Sequence, residues 1–338
     1  MSIVTRFHEP RTRWALRGIA ALLAVYVIVV LALMWWWSYE PDQFDVLALA
    51  RQRASAHGQA QPVTGSIVTS TLMGCAETLL DKRGGYISND KFPPGVLMDD
   101  VPNWEFGVLT ATRDLAREMR NRFSRSQSQS EEDADLKEAD PLFSSPNDRW
   151  LLPSSEGQYR KAIAHVDGYF VRLGKNDPNG AQFYARADSL ADYLDTVSSR
   201  LGSLSQRLSA SVGQVALEGD APVDPKAAAS GKGPQIVKTP WMQIDDVFYE
   251  SRGYTWALLE QLRAIQIDFA PILERKNATV SLKQVIRELE ESQRPVHSPM
   301  ILNGSPFGFF ANHSLVMANY ISRANAAVID LKNLLDRG

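Results

Sequence analysis

One segment constrains this chain more than any other: Gly18 to Trp37, twenty residues without a charged side chain. An α-helix rises about 1.5 Å per residue, so a run of this length matches the ~30 Å hydrocarbon core of a bilayer. Trp35, Trp36, Trp37 and Tyr39 close the run. Amphipathic rings favour the headgroup level, so they mark one boundary of the span and Trp14 the other. Residues 1–17 carry Arg6, Arg11, Arg13 and Arg17 against Glu9, a net of +3, whereas Glu40, Asp42 and Asp45 lie beyond the run. An excess of arginine on one side orients a span with that side in the cytoplasm. The expectation is a cytoplasmic tail over 1–17, a transmembrane signal anchor from Gly18 to Trp37, and the rest of the chain across the bilayer.

A cleaved signal peptide is the competing reading. Its apolar region is usually about 7–15 residues and ends in small residues. The run here is longer and ends in three tryptophans, which favours an uncleaved anchor. Cys75 stands in Leu72-Met-Gly-Cys75, which mimics a lipoprotein box but lies far beyond the apolar run. A small buried thiol on a helix explains it better. It is the single cysteine, so the exported part has no internal disulfide and relies on its own core. With a formal charge of −3 overall and +3 in the tail, the remainder carries −6. That excludes the basic footprint of a nucleic-acid surface.

Beyond the anchor, apolar spacing is helical throughout. Phe183, Ala187, Leu190, Leu194, Val197, Leu201, Leu204 and Leu208 alternate steps of four and three, the 3.5-residue repeat of a coiled-coil-like seam. The same pattern runs through Tyr159, Ile163, Val166, Phe170 and Leu173, and through Met317, Ile321, Ala324, Val328, Leu331 and Leu335. It recurs in Val108, Thr112, Leu115, Met119 and Phe123, and in Val247, Ser251, Tyr254, Leu258, Leu262, Ile265, Phe269 and Ile272. Ile67–Leu80 reads as a shorter helix. Ser155 with Gln158 and Ser281 with Gln284 read as capping boxes, Gly84 as a left-handed stop and Asn312 as a cap of the last helix. Pro41 suits a first turn, so a helix is expected to resume there and run to about Ala56. The turn formers Lys175-Asn-Asp-Pro-Asn-Gly180 predict that the segments on either side pack as an antiparallel hairpin.

The expected fold is all-α: a single N-terminal transmembrane helix followed by an antiparallel helical bundle with coiled-coil-like seams. Residues 38–65 read as a membrane-proximal helix and linker, and 66–338 as the bundle. Mobile loops are expected near 124–140 and 219–240, where polar, small and proline-rich residues offer little to bury. One bundle is preferred to two lobes.

Motifs of chemistry are scarce. HExxH, CxxC, GxSxG and GxGxxG are all lacking. Gly168 to Lys175 has the wrong spacing for a phosphate loop. Asn176-Asp-Pro-Asn-Gly180 would put Lys175 and Arg186 where a calcium loop needs carboxylates. Two long stretches, 84–104 and 294–313, combine turn formers with aromatics, and loops of that length are often functional. They supply a candidate binding surface: Asn89, Asp90, Asp99, Asp100, Trp104 and Glu105 from the first, and His297, Asn303, Phe307 and His313 from the second. Cap or backbone roles for the two histidines compete with an acid–base or metal role. No catalytic residue, metal ligand or cofactor is assigned.

Gly84-Gly-Tyr-Ile-Ser-Asn-Asp90, Pro93-Pro-Gly95, Pro102-Asn-Trp-Glu-Phe-Gly107 and Leu302 to Leu331, with its Asn-Gly-Ser-Pro-Phe-Gly-Phe-Phe-Ala-Asn-His core, resemble a proteobacterial family of membrane-anchored proteins, domain of unknown function 2333. The resemblance covers nearly the whole chain. It implies a Gram-negative inner membrane and a periplasmic bundle, and lends no activity or residue role. The stretches around 124–140 and 219–238 depart from it. The leading function is a non-enzymatic, single-pass inner-membrane protein that binds a partner or scaffolds an envelope assembly. The alternatives are an envelope or cell-wall hydrolase using loops 84–105 and 294–313, and a lipid- or ligand-binding periplasmic module. The expected partners are the bilayer, through residues 18–37, and another envelope protein, with homo-oligomerisation a further option and nucleic acid excluded.

Overall fold

The computed structural model of the chain describes residues 10–126, 131–175, 177, 180–215, 236–296, 301 and 311–337. Among them, the helices are α1 (Pro10–Trp37), α2 (Val46–Ala56), α3 (Ser66–Asp81), α4 (Asp100–Glu118), α5 (Ala134–Phe143), α6 (Ser155–Gly174), α7 (Ala187–Ser209), α8 (Ile244–Asp268), α9 (Ala270–Arg275), α10 (Thr279–Ser292) and α11 (His313–Asp336). The extended pairing among the described residues is a two-residue antiparallel contact, Gln214–Val215 with Ile236–Val237. The fold is all-α, as the apolar spacing predicts.

Each predicted seam lies in the core. Leu190, Leu194, Val197 and Leu201 of α7 are fully buried, as are Ile321, Ala324, Val328 and Leu331 of α11. These two helices form one of the two most extensive pairs. They run antiparallel, with Ser205 opposite Ser322 and Asp195 opposite Lys332. Burying a large aliphatic side chain contributes about 1.5–3 kcal/mol, so such a seam is a main source of stability. The other extensive pair, α4 with α8, runs parallel: Asn103 meets Asp246 and, further along both helices, the Gln261 amide donates to the Ala111 carbonyl. Their backbones nearly touch. A Cβ on Gly253 would lie 1.9 Å from the Trp104 carbonyl oxygen, and one on Gly107 2.1 Å from that of Glu250. α3 packs on α8 and α6, α5 on α6, and α10 on α11 and α8.

Several local expectations change. The segments before and after Lys175–Gly180 do not form a hairpin: α6 packs on α5 and α3, and α7 on α11. The connection is drawn aside to the end of α4, where the Tyr184 amide donates to the Phe123 carbonyl and Arg186 to that of Arg125. α2 starts at Val46 under an Asp45 cap, not at Pro41. Ser154, not Ser155, caps α6; the Ser155 hydroxyl is buried and donates to the Pro146 carbonyl. Ser281 lies inside α10, which has no side-chain cap. Asn312 does cap α11, accepting from the Leu315 amide at 2.9 Å, and Gly84 has a positive φ of 84° just beyond α3. Of the stretch expected to be mobile near 124–140, residues 134–140 belong to α5, with Leu136 and Ala139 buried. Arg120 holds Glu132 and Asp140, and Arg172 holds Asp133 and Asp135. Most of 219–240 lies outside the described residues.

α1 stands apart. From Trp14 to Trp37 it is long and apolar enough to cross a membrane, by length and composition. Its described side chains are nearly all exposed, in contrast to every other long helix.

Candidate functional site

The point where α1 meets the bundle gathers most of the polar chemistry. Trp37 covers Gly84, leaving no room there for a Cβ, which would fall 2.6 Å from the indole. The Arg83 guanidinium lies 4.4 Å from the Trp36 ring centre and 4.9 Å from that of Tyr39, within range of a cation–π attraction. Three residues past the apolar run, the Glu40 carboxylate receives Arg252 in a forked pair at 2.7 and 2.5 Å. Arg252 is buried in α8 and also donates to the Ser292 and Arg294 carbonyls where α10 ends. One guanidinium thereby caps α10 and ties it to the exit of α1.

The 84–99 loop is organised from below by Glu105, one turn into α4. Its fully buried carboxylate accepts from the Ile87 and Ser88 amides at 2.8 Å each, from the Ser88 hydroxyl, and from Lys82, which is itself buried. Burial raises the Glu105 pKa, and Lys82 and Ser88 oppose the rise. Lys82 also donates to the Gly85 carbonyl. The loop is pinned sideways to 144–154: the Asn89 amide donates to the Arg149 carbonyl and to Glu156, and the Tyr86 hydroxyl to the Asn147 carbonyl.

The candidate residues therefore separate. Glu105 and Asn89 hold the loop. Trp104 is buried with its ring centre 5.4 Å from that of Trp256. Asp90 packs on Gly95, and burial raises its pKa. Asp99 caps α4 through the Asp100 amide. Asp100 is raised to about 7, first by burial and then by Asp99, Asp245, Asp246 and Glu40. The cause is architectural: the N-termini of α4 and α8 lie side by side, and each carries acids that suit its helix dipole. His313 occupies the first turn of α11 and is half-buried. Among the described residues, no hydrogen bond or ion pair joins it to Asp90, Asp99, Asp100 or Glu105. His297, Asn303 and Phe307 lie outside the described residues.

Two clefts flank the 37–43 segment. A small one involves Trp37, Lys82, Asp100 and Trp104. A wider one, about 820 Å³, lies between Trp35 to Gln43 on one side and Phe248, Arg252, Gln293 and Val296 on the other. Among the described residues, no group of three or more His, Cys, Asp or Glu side chains could hold a metal. Sequence reasoning missed Lys82, Arg83 and Arg252, and read Glu40 only as an acid beyond the apolar run. Arg252 alone left a trace, as a charge next to the α8 seam position Ser251.

These features define a class: an all-helical protein whose one long apolar helix, at the N-terminal side, is joined into the end of its bundle. The chain belongs to a bacterial family described as uncharacterized protein conserved in bacteria, domain of unknown function 2333, whose family model matches residues 9–338. No curated protein and no solved structure matches it.

Proposed function

We propose that this is a single-pass protein of the bacterial inner membrane. On this reading residues 1–17 are cytoplasmic, α1 is an uncleaved anchor, and the bundle is a periplasmic, non-enzymatic platform that binds another envelope protein. The observation that supports it is the joint between α1 and the bundle. Trp36 and Trp37 belong to the apolar run and also pack on Arg83 and Gly84. A signal sequence is discarded; its last residues have no reason to complete a folded domain. The arginines before the run support the orientation. The non-enzymatic part draws on how the polar candidates are used, since Glu105, Asn89 and Asp99 are committed to backbone and loop bonds.

The test joins two measurements on the full chain. A C-terminal reporter active only in the periplasm should light up, and photo-cross-linkers on the bundle in native membranes should give discrete adducts with another envelope protein. A reporter active only in the cytosol would overturn the orientation. A full chain that yields no adduct but cleaves cell-wall or lipid substrate would overturn the platform.

A further inference from the structure

The bundle has two ends, and its exposed apolar side chains are not shared evenly between them. The end of α3, the starts of α4 and α8 and the end of α10 all meet the segment that leaves α1. The start of α6 is on the same end, through Arg160 to Asp81, and the end of α5 follows it, through the Tyr159 hydroxyl to the Ser145 carbonyl. The loops 84–99, 144–154 and 238–243 therefore lie together around the exit of α1. Their tips present Phe92, Leu97, Trp150, Leu152, Trp241 and Met242 to solvent. Leu152 is 97% exposed, Trp241 73% and Met242 78%. Phe92 and Trp150 touch edge to face, 6.0 Å between centres, so two of the loops make one apolar surface. Among the described residues, the large exposed apolar side chains toward the opposite end are Ile267, Val280 and Ile329, each on a different helix.

Apolar tips on loops held rigidly from beneath are wasteful in water, and grouped apolar exposure marks an interaction surface. We infer that these tips form a second, non-spanning membrane contact: they enter the headgroup and upper acyl region of the same leaflet through which α1 leaves. This inference rests on the anchored reading above. Continuity with the anchor selects the bilayer as the occupant. Trp36 and Trp37, which belong at the headgroup level, are in contact with Arg83 and Gly84, the residues that open the 84–99 loop. The loop starts at lipid level and returns to it at Asp100, beside Trp37 and Tyr39. Tryptophan, leucine, phenylalanine and methionine are side chains suited to that depth. Asp99, Asp100, Asp245 and Asp246 stand close by, so the contact is apolar in origin and does not depend on anionic lipid. The bundle is thereby seated on the membrane at several points, with a fixed tilt about α1.

The test uses the full chain in proteoliposomes of zwitterionic phosphatidylcholine, with nitroxide labels introduced by Leu152→Cys, Met242→Cys, Val280→Cys and Leu31→Cys. Cys75 is fully buried and does not compete for label. Collision with oxygen, which concentrates in lipid, is compared with collision with a water-soluble nickel complex. Labels at 152 and 242 should favour oxygen several-fold, as the label at 31 does, and the label at 280 should favour nickel. If 152 and 242 read like 280 while 31 stays in lipid, the inference fails and the anchor stands. If 31 also reads as water, the anchored reading fails with it. Low collision with both reagents at 152 and 242, with spin broadening between copies, would assign the surface to a second copy and overturn the inference.

Discussion

Glu105 shows how a buried carboxylate comes to be structural. Two amides, a hydroxyl and an ammonium use its oxygens, and breaking such a buried pair leaves Lys82 charged and without a counterion. Glu105→Ala should cost about 3–5 kcal/mol, measured by urea unfolding of the full chain in detergent, with faster proteolysis of the 84–99 loop. A cost under about 1 kcal/mol would mean that the pair is dispensable. Asp100 makes the opposite case. Its carboxyl remains protonated in the fold to about pH 7, against an ordinary value of 3.8. The unfolded chain releases that proton first, so stability falls as pH rises through the window from about 4 to 7. Glu118 and Glu260, raised to about 7, and Asp268, raised to about 6, chiefly by burial, add to the same slope. Asp100→Asn should flatten the slope and add ~1–2 kcal/mol at pH 8 while leaving pH 4 nearly unchanged. Comparing urea midpoints at the two pH values decides it. Neither role could be read locally: Asp99, Asp100 and Glu105 are neighbours in sequence, but Lys82 and Asp246 reach them only through the tertiary fold.

Helices were legible where their signal is local. A 3.5-residue repeat can be counted along the chain, and Leu190 to Leu208 are buried as counted. Partner choice is not local. The sequence reads a tight turn at Lys175–Gly180, but the following residues bind Phe123 and Arg125, so α7 starts against a different neighbour from α6. Capping boxes misled for a related reason: Ser155 has the right spacing, but its hydroxyl is used by Pro146. The α4–α8 crossing carries its own prediction. Gly253→Ala would drive a methyl into the Trp104 carbonyl and should cost about 3 kcal/mol or more. Gly202→Ala in α7 meets only Asn325 at 3.6 Å and should stabilise by about 0.5–1 kcal/mol through helix propensity. Thermal melts of the two variants should move in opposite directions; a Gly253→Ala chain that melts no lower than the parent would contradict the close crossing.

At the scale of the whole molecule, α1 was legible because bilayer thickness imposes a length rule that composition can meet. The joint was not, since Glu40 and Arg252 are far apart along the chain and belong to segments with unrelated patterns. That joint gives the apolar helix a role in the fold itself: Trp37 covers a positive-φ glycine, Trp36 and Tyr39 hold Arg83, and Glu40 holds the residue that caps α10. A chain severed after Trp37 would lose Trp37 from Gly84 and Trp36 from Arg83, and expose the 84–99 loop at its root. Intact mass and N-terminal sequence of the protein recovered from carbonate-washed membranes test this most directly. The account predicts a chain that still carries α1 and stays with the lipid; a mature chain that starts beyond Trp37 and appears in the soluble fraction would contradict it.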